Sequence, residues 1–297
     1  MTGVRVRGLT KSFRTLTRTQ QVLRGIELDV APGEVVGLIG PNGAGKTTLM
    51  SCLLGYLNPD DGEIAIDRRR NDDLDVRRNT GFVPERMNFD RGQTGRAFLR
   101  YMARLAGIPR ATVDARVDAI LQRLEIADAA HKKLSAYSRG MLQRIGMCQA
   151  LIHEPLYVFL DEPTSGLDPN GVLLVRDLIA DQKRRGAAVL LNSHQLAEIE
   201  KVCDRVVFLK NGVISHAETL RHADHIDVAI TLLAGSFDRA QVEQLTGSAM
   251  NENVVVIGVA NEAEIATKVR GLVESGAGVV DVRRHVADLE GIFRGTR

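Results

Sequence analysis

The chain has 297 residues, of which 44% are hydrophobic and 26% are charged, a composition typical of one large globular domain with or without an appendage. Lys and Arg number 39 against 37 Asp and Glu, and the net charge of +2 neither demands nor excludes a nucleic-acid or anionic membrane partner. The three cysteines form no CxxC pattern and are typical of reduced thiols in a cytosolic protein, and the longest apolar runs are too short to span a membrane.

The N-terminal part alternates in hydrophobicity and then becomes continuously apolar. Period-two alternation across residues 4–30, followed by the turn Pro32-Gly33, predicts antiparallel strands. The apolar run at 34–40 predicts a buried strand that leads into a glycine-rich loop, and residues 46–57 have the pattern of a helix.

The loop between this strand and this helix has the sequence GPNGAGKT, which fits G-x-x-x-x-G-K-[ST]. Its glycines let successive backbone N–H groups face one anion, and the helix N-terminus adds a partial positive charge. Lys46 is expected to reach the β- and γ-phosphates of a nucleotide, and the Thr47 hydroxyl to bind Mg²⁺. The alternative is a glycine-rich turn that carries a surface lysine. The candidate nucleotide-binding residues are Gly40, Asn42, Gly43, Ala44, Gly45, Lys46, Thr47 and Thr48.

Residues 86–150 are predicted to be a helical insertion, because two apolar stripes at helical spacing follow one another there. The stripes are Phe98, Met102 and Leu105, and then Val113, Val117, Ile120 and Leu124.

A further helix is predicted to begin within YSRGMLQR, at 137–144. Ser138 is placed like an N-cap, with its hydroxyl ready to accept a hydrogen bond from an N–H of the first turn. Gly140 is a poor residue for the first turn of a helix that only has to be stable. A helix start that lacks bulky side chains indicates that another group comes close to its backbone N–H groups. The apolar stripe behind it is Met141, Ile145, Cys148 and Ile152.

Two apolar strands, at 156–160 and 187–191, flank a helix pattern at 170–185 and predict a parallel sheet covered on both faces. An Asn211-Gly212 turn within 206–216 then predicts a hairpin.

Polar side chains follow both strands of this sheet. Asp161 and Glu162 come after the first strand, and ligands of α/β sheets bind at the carboxyl ends of strands. Asp161 is therefore expected to hold the Mg²⁺ shell and Glu162 to orient the attacking water. An Asp-Glu pair alone more often forms a solvated turn, but its occurrence with GPNGAGKT favours the functional interpretation. His194 ends the second strand and is predicted to contact the γ-phosphate, with a structural histidine as the alternative.

After about residue 222 the pattern restarts. Strands are predicted near 226–233, 253–259 and 278–283, with helices between and after them. We therefore expect an α/β appendage at 223–297, separate from a nucleotide-binding domain at 1–222.

The ordered motifs resemble the nucleotide-binding domain of ABC ATPases over roughly residues 4–220. They are GPNGAGKTT, GFVPE at 81–85, YSRGM at 137–141, FLDEP at 159–163, SGLDP at 165–169 and SH at 193–194. The resemblance is strongest to ATPases of the ABC-2 type. It implies a P-loop NTPase fold of α/β class, with an antiparallel β subdomain and the helical insertion, that binds ATP and Mg²⁺.

The resemblance also implies roles for further residues. In this family the signature segment, here residues 137–141, contacts the γ-phosphate of ATP held by the opposite subunit, so Ser138 and Gly140 are expected to face that phosphate. Asp168 would span the same interface. Phe13 matches the aromatic residue that stacks on adenine, with a strand-core residue as the alternative.

The sequence departs from the family pattern in two places. The commonest signature is LSGGQ, and here Arg139 and Met141 replace Gly and Gln. The usual Gln of the loop after the phosphate-binding motif is Glu85, which can still bind Mg²⁺ or water but adds negative charge beside the phosphates. In this family the membrane partner docks on the helical insertion. The candidates for that surface are Met87, Phe89, Phe98 and Tyr101, with helix-core packing favoured for Phe98 and Tyr101.

Three functions are compared. The first is the ATP-hydrolysing subunit of a bacterial ABC-2-type transporter, cytoplasmic and peripheral on the inner face of the cell membrane. It would act as a dimer, most simply a homodimer, on a separate integral membrane permease, with no nucleic-acid partner expected. The alternative is a soluble ABC ATPase that acts in assembly or regulation without transport. A generic P-loop kinase or GTPase is disfavoured by the signature segment, by SGLDP and by the lack of an N-K-x-D motif.

Overall fold

The computed structural model describes residues 2–14, 18–220 and 226–284 and divides the chain into two compact units, residues 1–218 and 219–297. The division falls close to the predicted boundary at 222/223, which itself lies outside the described residues. Within the described ranges, no helix has both the length and the apolar character needed to cross a membrane.

The first unit alternates strands and helices. In chain order its elements are β1 (Val4–Arg14), β2 (Thr19–Val30), β3 (Val35–Ile39), α1 (Lys46–Leu53), β4 (Asp61–Ile66), β5 (Arg69–Arg70), α2 (Leu74–Arg78), β6 (Thr80–Val83), α3 (Gly95–Leu105), α4 (Arg110–Arg123), α5 (Arg139–Leu151), β7 (Tyr157–Asp161), α6 (Pro169–Arg184), β8 (Ala188–Asn192), α7 (Leu196–Val202), β9 (Arg205–Lys210) and β10 (Val213–Thr219). Two 3₁₀ turns, Ala127–Ala129 and Leu134–Ala136, lie between α4 and α5.

An antiparallel sheet with strand order β2-β1-β4-β5 opens the unit, as the period-two alternation predicted. Alternate residues point into a common core, where Leu9, Leu23 and Ile26 are fully buried. This sheet shares its core with β3 and with α1, so it packs against the strand and the helix that flank the glycine-rich loop.

The second sheet has the order β10-β9-β3-β8-β7-β6, and its pairs β9-β3, β3-β8, β8-β7 and β7-β6 are parallel. Every residue of β3, β7 and β8 is buried, so both faces of the sheet are covered, which confirms the prediction. The predicted hairpin joins β9 to β10, and its turn residues Asn211 and Gly212 have φ values of 51° and 79°, as a type I′ turn requires.

The stretch predicted as a helical insertion contains α3, α4 and α5, which pack against one another. Both predicted stripes are helical, since the first lies in α3 and the second in α4 and its C-cap. The second stripe is buried, whereas Leu105 at the end of the first is 64% exposed. At its other end α5 packs on β6, where a side chain at Gly81 would clash with the carbonyl oxygen of Ala150. The absence of a side chain at Gly81 therefore sets how closely α5 approaches the sheet.

The second unit is a separate α/β structure. Its elements are β11 (Ile226–Leu232), α8 (Arg239–Thr246), β12 (Met250–Asn251), β13 (Val254–Val259), α9 (Glu262–Glu274) and β14 (Val279–Arg284). The strands form an antiparallel sheet of order β12-β13-β11-β14. Its buried residues, such as Val228 and Ile257, share one core with helix residues such as Val242 of α8 and Leu272 of α9. The three predicted strands are confirmed. The helix predicted after the last of them lies outside the described residues.

Candidate functional site

The glycine-rich loop joins β3 to α1 in a conformation that side chains would disturb. Gly43 and Gly45 have φ values of +81° and +109°, which favour glycine, and a Cβ at Gly40 would clash with the carbonyl oxygen of Leu209. Gly45 is the N-cap residue of α1, and no side chain of the described residues caps this helix start. The first N–H groups of α1 are therefore free to bind an anion at the positive end of the helix.

The other loop residues predicted to bind a nucleotide lie around this helix start. Asn42 and Gly43 are exposed and Ala44 is buried. In the first turn of α1, Thr47 is exposed and Thr48 is half-buried. Lys46 folds back over the loop, with Nζ donating to the carbonyl oxygens of Gly40 at 2.6 Å and of Pro41 at 3.2 Å.

Lys46 lies within electrostatic range of two carboxylates. Its partial burial lowers the pKa of the ammonium, and the charges of Glu162 and Asp161 oppose that shift. The glycine-rich loop and the Asp-Glu pair, some 115 positions apart along the chain, therefore meet at the carboxyl edge of the parallel sheet.

Asp161 is the last residue of β7, and only 6% of its surface is exposed. The Asn192 side chain donates a hydrogen bond to its carboxylate. Burial nevertheless raises the pKa of Asp161, and the negative charges of Glu162 and Glu85 raise it further, against the opposing effects of Asn192 and Lys46. The carboxylate therefore lacks full charge compensation from the described residues, a situation suited to binding a cation.

Glu162 is 8% exposed and holds an unusual backbone conformation, with φ of 50° in the left-handed region. Its N–H donates to the carbonyl oxygen of Asn192 at 2.9 Å, and its Oε1 accepts from the backbone N–H of His194 at 3.0 Å. Oε2 lies 2.8 Å from Nδ1 of the exposed His194 but accepts no well-directed hydrogen bond from any described residue. The structure thus brings Glu162 and His194, the two residues predicted to take part in hydrolysis, into contact.

Sequence reasoning missed Asn192, which contacts both acids of the pair. The available signal was its position: it is a polar residue at the end of an otherwise apolar strand, directly beside β7 in the sheet.

The signature segment forms a helix start, as predicted. Ser138 is the N-cap of α5, and its hydroxyl accepts from the N–H of Met141 at 3.2 Å. Asp168 caps α6 in the same way, accepting from the N–H of Gly171 at 3.0 Å. Among the described residues, no hydrogen bond or ion pair links Ser138, Gly140 or Asp168 to the glycine-rich loop of the same chain.

Two of the remaining predicted site residues, Phe13 and Glu85, lie on the surface. Phe13 is 41% exposed, with the Lys11 ammonium 5.9 Å from its ring centroid, so the alternative of a strand-core residue is wrong. Glu85 is exposed after β6 and acts on Asp161 through its charge. Phe98 is buried as core packing predicts, whereas core packing is wrong for Tyr101, which is 55% exposed.

A sheet whose strand β3 leads through the GPNGAGKT loop into a helix, with an acidic pair at the end of the next strand but one, β7, defines a P-loop NTPase. Comparison with known proteins then gives the family. Residues 23–165 match the family model described as "ABC transporter". The uncharacterized ABC transporter ATP-binding protein YdbJ of Bacillus subtilis is 32% identical over 295 residues, which cover 97% of this chain and 93% of YdbJ. The chain therefore belongs to the family of ABC transporter ATP-binding proteins, and it is an ATPase.

Other similar proteins match a smaller share of the chain. The uncharacterized ABC transporter ATP-binding protein all4389 of Nostoc sp. is 42% identical over 213 residues, which span 69% of this chain and 64% of all4389. The fluoroquinolones export ATP-binding protein Rv2688c of Mycobacterium tuberculosis is 38% identical over 71% of this chain and 69% of its own length. A solved dimer of the ATP-binding cassette MJ0796, in a post-hydrolysis state bound to ADP and Pi, has a TM-score of 0.66 and 26% identity, covering 74% of this chain and 99% of the cassette.

Proposed function

We propose that this protein is the ATP-hydrolysing subunit of a bacterial ABC transporter of the ABC-2 type. Two copies close around two ATP molecules and drive a separate membrane-spanning permease, with the ATPase on the cytoplasmic face of the membrane. The observation that carries the proposal is that no hydrogen bond or ion pair among the described residues joins the helix start at the glycine-rich loop to the helix start at the signature segment of the same chain. The start of α1 lies beside Asp161 and Glu162, whereas the start of α5, at Ser138, makes no described contact with it.

A second subunit would supply the missing half of each site. Ser138 and Gly140 of one copy would face the γ-phosphate on the glycine-rich loop of the other, with Asp168 at the same interface and Phe13 against the adenine. The ADP- and Pi-bound neighbour MJ0796 is a dimer, which supports this arrangement.

The residues also fit a magnesium ion. Thr47 offers a hydroxyl, and Asp161 and Glu85 offer carboxylates, of which Asp161 has a pKa raised by burial and by neighbouring negative charge. No group of three or more His, Cys, Asp or Glu within the described part of the chain forms a metal cage by itself. Such an incomplete set suits Mg²⁺, which takes one or two protein carboxylates together with phosphate oxygens. When bound, the ion neutralises charge that develops on the phosphates.

Hydrolysis is then assigned to the residues at the sheet edge. Glu162 orients and polarises the attacking water through Oε2, the oxygen that accepts no well-directed hydrogen bond from the described part of the chain, while the His194 backbone N–H holds Oε1 in place. Lys46 donates to the β- and γ-phosphates in place of the loop carbonyls that it contacts without nucleotide. The His194 side chain is exposed beside Glu162 and is assigned to the γ-phosphate.

Support for a permease partner comes from similarity to a named export protein and from a cleft in the first unit. A relative named for fluoroquinolone export supports an export role. An open cleft of about 530 Å³ in the first unit offers a docking surface, and Glu85, Met87, Arg139 and Leu142 are among the residues that line it. Because Glu85 lies at the nucleotide site as well, a partner seated there would sense the state of the nucleotide.

The test is to tag the chain in its native cells, solubilise the membranes in mild detergent and identify the proteins that co-purify. A stoichiometric polytopic membrane protein is the expected result. Recovery only from the soluble fraction, with soluble partners, would overturn the transporter proposal and favour a soluble ABC ATPase of assembly or regulation. A Glu162→Gln variant purified with ATP is expected to elute as a dimer, and a strictly monomeric variant would contradict the shared site.

A further inference from the structure

The first two turns of α5 hold the segment between Glu162 and α6, residues 163–168. Gln143 is buried and its Nε2 donates to the carbonyl oxygen of Pro163 at 3.0 Å. Arg144 Nη2 lies 3.7 Å from the carboxylate of Asp168, the residue that caps α6. The signature helix is thus attached to both ends of this segment.

Arg139 contacts the middle of the segment 163–168, at Ser165 and Gly166. Its Nη2 donates to the hydroxyl of Ser165 at 2.7 Å. Its side chain also lies across Gly166, where a Cβ would come within 2.6 Å of Arg139 Nε and 2.7 Å of Cδ. Gly166 has φ of +77°, so this position favours glycine both for its backbone conformation and for the space that the arginine occupies. A glycine at position 139, as in the commonest signature, could make neither contact.

The segment that Arg139 holds directly follows Glu162, the residue of the site with a strained backbone. Glu162 has a left-handed backbone, which persists only where the surroundings enforce it. The turn that follows is closed by a hydrogen bond of 3.1 Å from the Ser165 N–H to the Glu162 carbonyl oxygen. Ser165 is therefore bound twice: its backbone N–H closes the turn after Glu162, and its hydroxyl accepts a hydrogen bond from Arg139.

We propose that Arg139 is a positioning residue for hydrolysis: it clamps Ser165 and Gly166 to the signature helix of its own chain and so keeps the Glu162 carboxylate aligned. The inference rests on the role proposed above for Glu162 and is independent of a membrane partner. It differs from a role in which Arg139 contacts ATP held by the opposite subunit, because the clamp lies within one chain and acts through Ser165.

The test compares ATP hydrolysis by the full-length wild type with that of Arg139→Gly, Ser165→Ala and the double variant. Loss of one hydrogen bond to a charged group at an exposed site is expected to lower kcat about three- to tenfold, with KM for ATP nearly unchanged. The double variant is expected to be no slower than the slower single variant, because the two residues act as a unit. Arg139→Lys keeps a charged donor and is expected to recover part of the rate.

Three results would overturn the proposal. The first is an unchanged kcat in Arg139→Gly, and the second is additive losses of kcat in the double variant. The third is a raised KM for ATP in Arg139→Gly together with an unchanged kcat in Ser165→Ala, because this pair of results would indicate direct contact between Arg139 and the nucleotide. Binding of ADP, measured by calorimetry, checks the fold and is expected to be unchanged, because the contacts of Arg139 among the described residues are to Ser165 and Gly166 and not to the glycine-rich loop. Glu162→Gln separates the two proposals: if it hydrolyses ATP at the wild-type rate, the role of Glu162 is wrong, whereas a slow Glu162→Gln beside a fast Arg139→Gly refutes only the clamp.

Discussion

The buried carboxylate of Asp161 is predicted to lower the stability of the nucleotide-free protein, so Asp161→Asn is expected to raise it. Burial and the charges of Glu162 and Glu85 oppose ionisation of Asp161, and replacement by an amide of the same shape removes all three effects. The Asn side chain keeps an oxygen that can accept from Asn192. The substitution loses the attraction of Lys46, which acts in the opposite direction.

The stability gained by Asp161→Asn is expected to increase with pH, because the pKa of Asp161 is raised in the folded protein. A carboxyl whose pKa is higher in the folded than in the unfolded protein contributes stability that is fully present below the unfolded pKa of about 3.9 and is lost as pH rises through the folded pKa. At pH 8 the wild type therefore bears the cost of the buried charge, and near pH 4 it does not. The expected gain at pH 8 is on the order of 1 kcal/mol, or about 2–4 °C in Tm for a unit of this size.

The assay is thermal unfolding followed by circular dichroism, without nucleotide and with EDTA, between pH 4 and pH 8. Asp60→Asn is a matched control of opposite sign, because the Lys11 ammonium and the Ser12 N–H donate to Asp60 and lower its pKa. Its substitution is expected to lower Tm at neutral pH, with the effect vanishing as pH falls. A lower Tm for Asp161→Asn at pH 8 would refute the reasoning and indicate that Lys46 fully compensates the charge.

Three further outcomes are expected. Glu162→Gln keeps an oxygen to accept the His194 N–H, so phosphate release is expected to fall by about 100-fold or more while ATP binding persists, and a rate within threefold of wild type would contradict the assignment. In urea unfolding without nucleotide, Gly45→Ala is expected to lower the free energy of unfolding by about 2–4 kcal/mol. The backbone strain of a positive φ adds there to a contact of 2.9 Å between the new Cβ and a Leu23 methyl group. In the control Gly43→Ala the new Cβ has open space around it, so the free energy of unfolding is expected to fall by only about 1–2 kcal/mol. Equal falls for the two variants would exclude the steric explanation. Asn261→Ala removes the N-cap of α9 and is expected to cost about 1 kcal/mol, visible as faster hydrogen exchange in α9 with α1 unaffected, whereas a uniform change across both helices would contradict a local cap.

Most elements of the first unit were predictable from local sequence patterns. The strand β3, the loop after it and α1 were predictable because a short apolar run, a glycine motif and a helix start are each recognisable within a few residues. The N-cap at Ser138 was predictable for the same reason, since a cap bonds only to its own first turn.

Contacts between distant segments were not predictable. The bond from Arg139 to Ser165 and the bond from Asn192 to Asp161 join residues 26 and 31 positions apart, and nothing in either local sequence specifies the partner. The burial of an apolar stripe was not predictable either: Leu105 lies in the predicted helix but is exposed, because helical spacing indicates which residues could share a face and not whether a neighbouring helix reaches that far.

The close approach of α5 to β6 has a consequence for mutational tolerance. At Gly81 any side chain meets the Ala150 carbonyl, and neither partner can retreat, since one belongs to a paired strand and the other to a helix backbone. A saturation screen for growth would therefore find almost no accepted replacement at Gly81, although the residue carries no chemistry. Exposed Gly107 has a left-handed φ but nothing within 4 Å of a Cβ, so Asn and Asp are expected to survive there.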